Sequence, residues 1–139
     1  MAVTPHIVLV EDEEADVVHF RRLCKKHDIP GDMTVLRDGD SALEHLLSLP
    51  AARTGAARAI VVTDLNMPGM TGHELIGEIR ANPRTNDTIV FVVSTSDLAR
   101  DVSMAYAAHV AGYIVKDPHG ERLEAGVIAL GHYLRAMAF

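Results

Sequence analysis

The sequence predicts an α/β fold: one parallel five-stranded sheet with helices packed on both faces. Three observations carry this. Five short apolar runs alternate with five longer stretches of helical periodicity, the pattern of strands joined by helical crossovers. The central run, Ile60-Val61-Val62-Thr63, is apolar on both faces, as a strand buried between two layers must be. Several runs then end in acids, hydroxyls or a lysine, which places polar groups at the carboxyl edge of the sheet, where open α/β sheets hold their ligands.

The elements follow in order. His6 to Val10 is a first strand running into four acids, Glu11-Asp12-Glu13-Glu14. The next helix has Val17, Val18, Phe20, Leu23 and Cys24 at roughly helical spacing and ends near Pro30-Gly31. Met33 to Leu36 is the second strand. Asp40 or Ser41 can cap the following helix, whose apolar face is Ala42, Leu43, Leu46 and Leu47. Pro50 to Arg58 reads as a small, Ala-rich connection before the third strand, Ala59 to Thr63. Asp64 stands at the end of that strand, and Pro68-Gly69 turns the chain.

Thr71 can cap a helix from Gly72 to about Ala81 with Leu75, Ile76 and Ile79 inward. Thr88 to Val93 is the fourth strand, followed by Ser94-Thr95-Ser96-Asp97. Asp97 can cap a helix to about Val110 with Leu98, Val102, Ala105 and Tyr106 on its apolar side. Tyr113 to Val115 is the fifth strand, ending in Lys116-Asp117-Pro118. The last helix runs from about Gly120 to Met137 with Leu123, Val127, Ile128, Leu130 and Leu134 inward. No composition break or repeat divides the chain, so one domain over residues 1–139 is expected.

Bulk properties narrow the function. The net charge of −6, with no Trp and only three Tyr and three Phe, argues against a basic, base-stacking nucleic-acid surface. The single cysteine, Cys24, excludes an internal disulfide and reads as a small buried hydrophobe. The start of the chain has neither a basic n-region nor a long apolar run, so a cytoplasmic protein without a membrane span is expected. Eight histidines are scattered without close ligand spacing, which suits surface or hydrogen-bonded roles better than a metal site.

The polar residues at the strand ends make one constellation: Glu11 and Asp12, Asp64, Ser94 and Thr95, and Lys116. Each has a duller reading. Asp64 can be a turn or capping aspartate, Glu11 and Asp12 the acidic first turn of a helix, Ser94 a cap, Lys116 a solvated lysine. Together they bring three carboxylates and one ammonium to one edge. Converging carboxylates repel and call for a cation, and hard oxygen donors with room for water suit Mg²⁺. Lys116 and Ser94 can then contact a phosphoryl group bound beside the ion.

Over nearly its full length the chain resembles a two-component response-regulator receiver domain. The matching stretches are Val8-Leu9-Val10-Glu11-Asp12, Thr63 to Gly72, Val93-Ser94-Thr95 and Gly112 to Lys116. The resemblance implies a flavodoxin-like sheet of order 2-1-3-4-5. It implies that Asp64 accepts a phosphoryl group from a phosphohistidine of a sensor histidine kinase. Asp12 and Asp64 would bind Mg²⁺ directly, Glu11 through a water, and the backbone carbonyl of Asn66 would complete the protein ligands. Ser94 would hydrogen-bond the phosphoryl oxygen, Lys116 would pair with it, and Tyr113 would be the rotameric switch. The Ala15-Asp16-Val17 helix start, the Asn82-Pro83-Arg84-Thr85 turn and the Tyr133-Leu134 ending are similar to the small regulators that accompany bacterial phytochrome kinases.

Departures from the family pattern are few. Asp117 separates Lys116 from Pro118, so the cis Lys–Pro bond usual there cannot form. Thr95 stands where Ala or Gly is common and is expected to narrow access to the phosphoryl site. Thr71 replaces a frequent acid. The expected output is protein contact, to a downstream target or a phosphotransfer protein, with no output domain and no effector enzyme. A homodimer through the fourth helix, fifth strand and fifth helix is expected from the long apolar last helix. A Mg²⁺-dependent phosphatase-like enzyme also uses an Asp nucleophile, but would need a second acid where Asn66 stands. A degenerate receiver would lack Asp64, Lys116 or the acidic pair, and all are present.

Overall fold

A computed structural model describes residues 5–50 and 58–139. Most of the expected Pro50–Arg58 connection, and the first four residues, lie outside the described part. Five strands and five helices alternate: β1 (His6–Val10), α1 (Glu14–Lys26), β2 (Met33–Leu36), α2 (Gly39–Leu47), β3 (Ala59–Thr63), α3 (Gly72–Ala81), β4 (Ile89–Ser94), α4 (Ala99–Ala107), β5 (Gly112–Val115) and α5 (Glu121–Ala136). The strands pair in parallel in the order β2-β1-β3-β4-β5. This is the flavodoxin-like order, and it sets the ends of β1, β3, β4 and β5 along one edge.

Alternation along the strands divides the interior into two cores. Ile7, Leu9, Ile60, Val62, Phe91, Val93 and Ile114 face α1 and α5, where they meet Val17, Phe20, Leu123, Val127 and Leu130. Val8, Val10, Val61, Val90 and Val92 face the other way, onto Ala42 and Leu46 of α2, Leu75, Ile76 and Ile79 of α3, and Ala105 of α4. Both faces of β3 are covered, and all five of its residues are buried.

Several boundaries differ from those the sequence predicts. α2 is capped by Asp38 rather than Asp40 or Ser41; its carboxylate accepts from the Ser41 amide at 2.7 Å and the Ser41 hydroxyl at 3.1 Å. α4 begins after Leu98, so Asp97 is no cap, and no side chain caps that helix. It also ends at Ala107, short of Val110, because His109 takes a left-handed conformation (φ 63°) and turns the chain into β5. Only Ala105 of α4 is buried, whereas Leu98 and Tyr106 are half exposed. Ile128, expected inward, sits at the rim with more than a third of its surface exposed, as does Val18. The Thr71 cap of α3 is present as a full capping box with Glu74.

Candidate functional site at the carboxyl edge of the sheet

The chain crosses from β3 to α3 in a tight loop that fixes Asp64. One carboxylate oxygen, Oδ1, accepts from the Leu65 amide at 2.7 Å and more weakly from the Asn66 amide at 3.4 Å. The other is left to face the cleft. Behind it, the Thr63 hydroxyl donates to the Asp64 carbonyl at 2.8 Å, and the Gly72 amide to the Leu65 carbonyl at 2.9 Å. Gly72 must be glycine: a Cβ there would lie 2.1 Å from the Asp64 carbonyl oxygen. Gly69 supplies the positive φ of the turn. The loop therefore presses the start of α3 against the end of β3 and holds the Asp64 carboxylate still.

β1 delivers Glu11 and Asp12 beside it. Glu11, Asp12 and Asp64 each offer an oxygen within 4.8 Å of the others, and no other such group of three His, Cys, Asp or Glu side chains occurs among the described residues. β5 delivers Lys116, whose amide is fixed to the Ser94 carbonyl at 2.7 Å. Its side chain is only 10% exposed, and its ammonium donates to three carboxylates: Glu11 Oε2 at 2.6 Å, Asp16 Oδ2 at 3.0 Å and Asp64 Oδ2 at 3.2 Å. Of the sequence-derived constellation, Glu11, Asp12, Asp64 and Lys116 are therefore brought together. Asp16 is a member that strand-end reasoning did not supply, because it reaches the cleft from the first turn of α1.

The electrostatics express an excess of negative charge. Burial raises the Glu11 carboxyl above its usual range and the charge of Asp64 adds to this, with Lys116 acting against both. Burial alone would lower the Lys116 ammonium, but the hydrogen bond to Glu11 and the charges of Asp64 and Glu11 reverse this and raise it. Lys116 stays protonated. One ammonium among four carboxylates leaves the pocket short of positive charge. Asp12 Oδ1 is buried and has no hydrogen-bond partner, which is costly unless something cationic or hydrogen-donating meets it. An all-oxygen donor set with an orphaned buried carboxylate oxygen fits a hard divalent cation.

Ser94 is fully buried, with its hydroxyl accepting from the Ser96 amide at 3.2 Å. Tyr113 is half buried, and its hydroxyl donates to the Ser96 carbonyl at 2.8 Å. Burial raises the Tyr113 phenol. Ser96 continues the chain of contacts, donating to Asp101 Oδ2 at 2.5 Å, and His73 on α3 meets Asp101 Oδ1 at 3.2 Å. This link between the site and two helices was not legible in the sequence: Ser94, Ser96 and Asp101 are neighbours there, but nothing in the spacing ties them to His73 or Tyr113.

Asp117, the residue inserted before Pro118, turns its carboxylate onto the Arg122 and Leu123 amides at 3.1–3.3 Å and so caps α5. Among the described residues no peptide bond is cis. Cys24 is buried, and burial pushes its thiol up to about 12, as expected of a packing residue. No helix among the described residues is long and apolar enough to cross a membrane.

Comparisons with known proteins agree with this geometry. The response regulator receiver domain family matches residues 7–128. The response regulator Rcp1 of Synechocystis is 33% identical over 110 residues, 79% of this chain and 75% of that protein. The probable methanogenesis regulatory protein FilR2 of Methanothrix harundinacea is 32% identical over 130 residues, 91% of this chain and 81% of that protein. Among solved structures, the Mn²⁺-bound form of Rcp1 superposes with a TM-score of 0.81 at 29% identity, covering 96% of this chain and 97% of that one. The phosphorylated cyanobacterial phytochrome response regulator RcpA gives a TM-score of 0.80 at 27% identity, covering 100% and 98%. With the family match spanning most of its length and the fold shared with solved members, the chain belongs to the response regulator receiver domain family.

Proposed function

We propose that this chain is a single-domain response regulator that accepts a phosphoryl group on Asp64 from a phosphohistidine of a sensor histidine kinase. The observation that supports this most is the orientation of Asp64: one oxygen tied to the Leu65 amide, the other directed to the Lys116 ammonium at 3.2 Å. In the transfer, Asp64 Oδ2 forms the new P–O bond while the P–N bond breaks. The histidine nitrogen keeps the electron pair and takes a proton from solvent. Lys116 neutralises charge developing on the phosphoryl oxygens, and the Ser94 hydroxyl turns from the Ser96 amide to donate to one of them. Asp12 and Asp64 would hold Mg²⁺ directly, Glu11 through a water, and the Asn66 carbonyl would add a fourth protein contact. Mg²⁺, when bound, supplies the positive charge that lets the acids and the phosphoryl group share the pocket. Loss of the phosphoryl group to water would occur at the same site.

Signalling follows from the links around Ser94. Drawing Ser94 inward disturbs its contact with Ser96, and Ser96 carries both Tyr113 and Asp101. Tyr113 would then act as the switch, with α4 and β5 as the responding face. Leu98, Met104 and Tyr106 on that side, with Ile128 of α5, are exposed apolar groups suited to a homodimer or a downstream protein. RcpA is a phytochrome response regulator by name; by that likeness the kinase is a phytochrome or other light sensor, and the setting is cytoplasmic. Thr95 is exposed beside Lys116 in the groove leading to the site, where it would slow attack by small phosphodonors and water. Asn66 in place of a second acid disfavours the phosphatase-like reading; passing the phosphoryl group on to a phosphotransfer protein remains compatible with the same chemistry.

The test is intact-mass measurement after incubation with acetyl phosphate and Mg²⁺, paired with beryllofluoride binding. The parent should gain one phosphoryl mass and bind beryllofluoride. Asp64→Asn should do neither. A modified Asp64→Asn variant, or a parent that binds no beryllofluoride, would overturn the assignment.

A further inference from the structure

Lys116 has three ammonium protons and three carboxylate partners. Two of them, Glu11 and Asp64, belong to the trio of acids clustered within 4.8 Å; the third, Asp16, does not. Asp16 approaches from the first turn of α1 and is 40% exposed on its side chain, whereas Glu11 and Asp64 are 4% and 9% exposed. It lines both the narrow cleft against Asp64 and the open groove that leads outward past Thr95 and Asp117. The lysine and a divalent ion would compete for the same two buried carboxylates, since two cations drawn to one oxygen pair repel each other. A carboxylate on the far side of the ammonium, outside the metal's reach, relieves that competition.

We infer that Asp16 is a positioning residue for Lys116, holding its ammonium on the α1 side of the pocket so that lysine and divalent cation occupy the acids side by side. The inference rests on the reading of Glu11, Asp12 and Asp64 as cation ligands. Without the Asp16 charge, Lys116 rests on Glu11 and Asp64 alone, and an incoming ion must displace it. A simple loss of one surface charge acts differently, because it weakens cation binding equally whether or not the lysine is there. Glu14, also in the first turn of α1 but paired with Arg37, is a matched control for that general effect.

The test is calorimetric titration with Mg²⁺ alone, in a double-mutant cycle of Asp16→Asn and Lys116→Met, with Glu14→Gln and Asp16→Glu alongside. Coupled charged neighbours show interaction energies that correspond to a several-fold to roughly hundredfold change in affinity. Asp16→Asn should therefore weaken Mg²⁺ binding roughly tenfold in the parent, and much less in the Lys116→Met background. Asp16→Glu should restore most of the affinity, and Glu14→Gln should change it little. Equal losses in both backgrounds, or a loss matched by Glu14→Gln, would overturn the inference and leave the cation site standing. Failure of the parent to bind Mg²⁺ would overturn both. If Lys116→Met does not fold, the Lys116 ammonium signal decides by nitrogen NMR with Mg²⁺ present: it should persist in the parent and be lost to exchange in Asp16→Asn. An unchanged signal in that variant would sink the idea.

Discussion

At the scale of single residues, the molecule separates groups that are buried to pack from groups that are buried to react. Cys24 belongs to the first kind. It lies in the core with Val17, Phe20 and Leu23, and burial lifts its thiol from 9.0 to about 12. Between those values the unfolded chain has released the thiol proton while the native chain keeps it, so native stability falls as pH rises across that window. Lys116 adds to the same trend from 10.5 upward: its folded value is raised, so its stabilising contribution is whole below 10.5 and is lost as pH climbs through the folded value. Cys24 should accordingly resist a thiol reagent in the native protein at pH 8 and react at once in urea. Urea midpoints between pH 9 and 10 should slope downward in the parent and less so in Cys24→Ala. Rapid native labelling would show that the thiol is reachable and that packing is not its role. The sequence already pointed to this role for Cys24, since its neighbours at helical spacing are apolar. It could not show that Asp16 meets Lys116, because that contact depends on the rotation of a helix about its axis relative to a strand a hundred residues away.

At the scale of elements, legibility followed burial. β3 and β4 lie between two helical layers, so their apolar runs state their position without ambiguity, and α3 announces itself through Thr71 and Glu74 at capping-box spacing. α4 is different. It buries one side chain, and it is held instead by polar contacts at its ends. Arg80 of α3 donates to the carbonyls of Ala108 and His109 at 2.8 and 3.1 Å, and Asp101 is tied to Ser96 and His73. No hydrophobic period records such anchors, and this is why the expected cap at Asp97 and the end at Val110 were misplaced. The same reasoning separates two changes at the start of α3. Thr71→Ala removes a cap and should cost about 1 kcal/mol in urea unfolding, with phosphorylation retained. Gly72→Ala puts a methyl group against the Asp64 carbonyl oxygen and forces α3 off the end of β3. It should lower acetyl-phosphate labelling far more than Thr71→Ala does. Equal labelling of the two variants would mean that the close approach at Gly72 serves the fold and not the site.

At the scale of the whole molecule, five parallel strands converge their carboxyl ends on one edge, and the fold is asked to keep mutually repelling acids there. Strand-end chemistry made that edge readable: Glu11, Asp12, Asp64, Ser94 and Lys116 were all placed there from sequence, the structure gathers the three acids and the lysine, and Ser94 closes β4 on the same edge. A site of this kind is held against the stability of the chain that carries it. Asp12 shows the cost most directly, with a buried, unpartnered oxygen close to Glu11 and Asp64. Asp12→Asn removes one charge from the cluster while keeping its shape, so in a chelating buffer the variant should unfold at a higher urea concentration than the parent. Added Mg²⁺ should reverse the order. A ligand that binds only the native state at a hundred times its dissociation constant stabilises by about 2.7 kcal/mol; the parent should gain that much, and Asp12→Asn should gain little. Paired urea titrations with chelator and with Mg²⁺ measure both terms at once. If Asp12→Asn were the less stable protein in chelator, the acids at this edge would be satisfied by the fold itself, and the need for a cation would lose its physical basis.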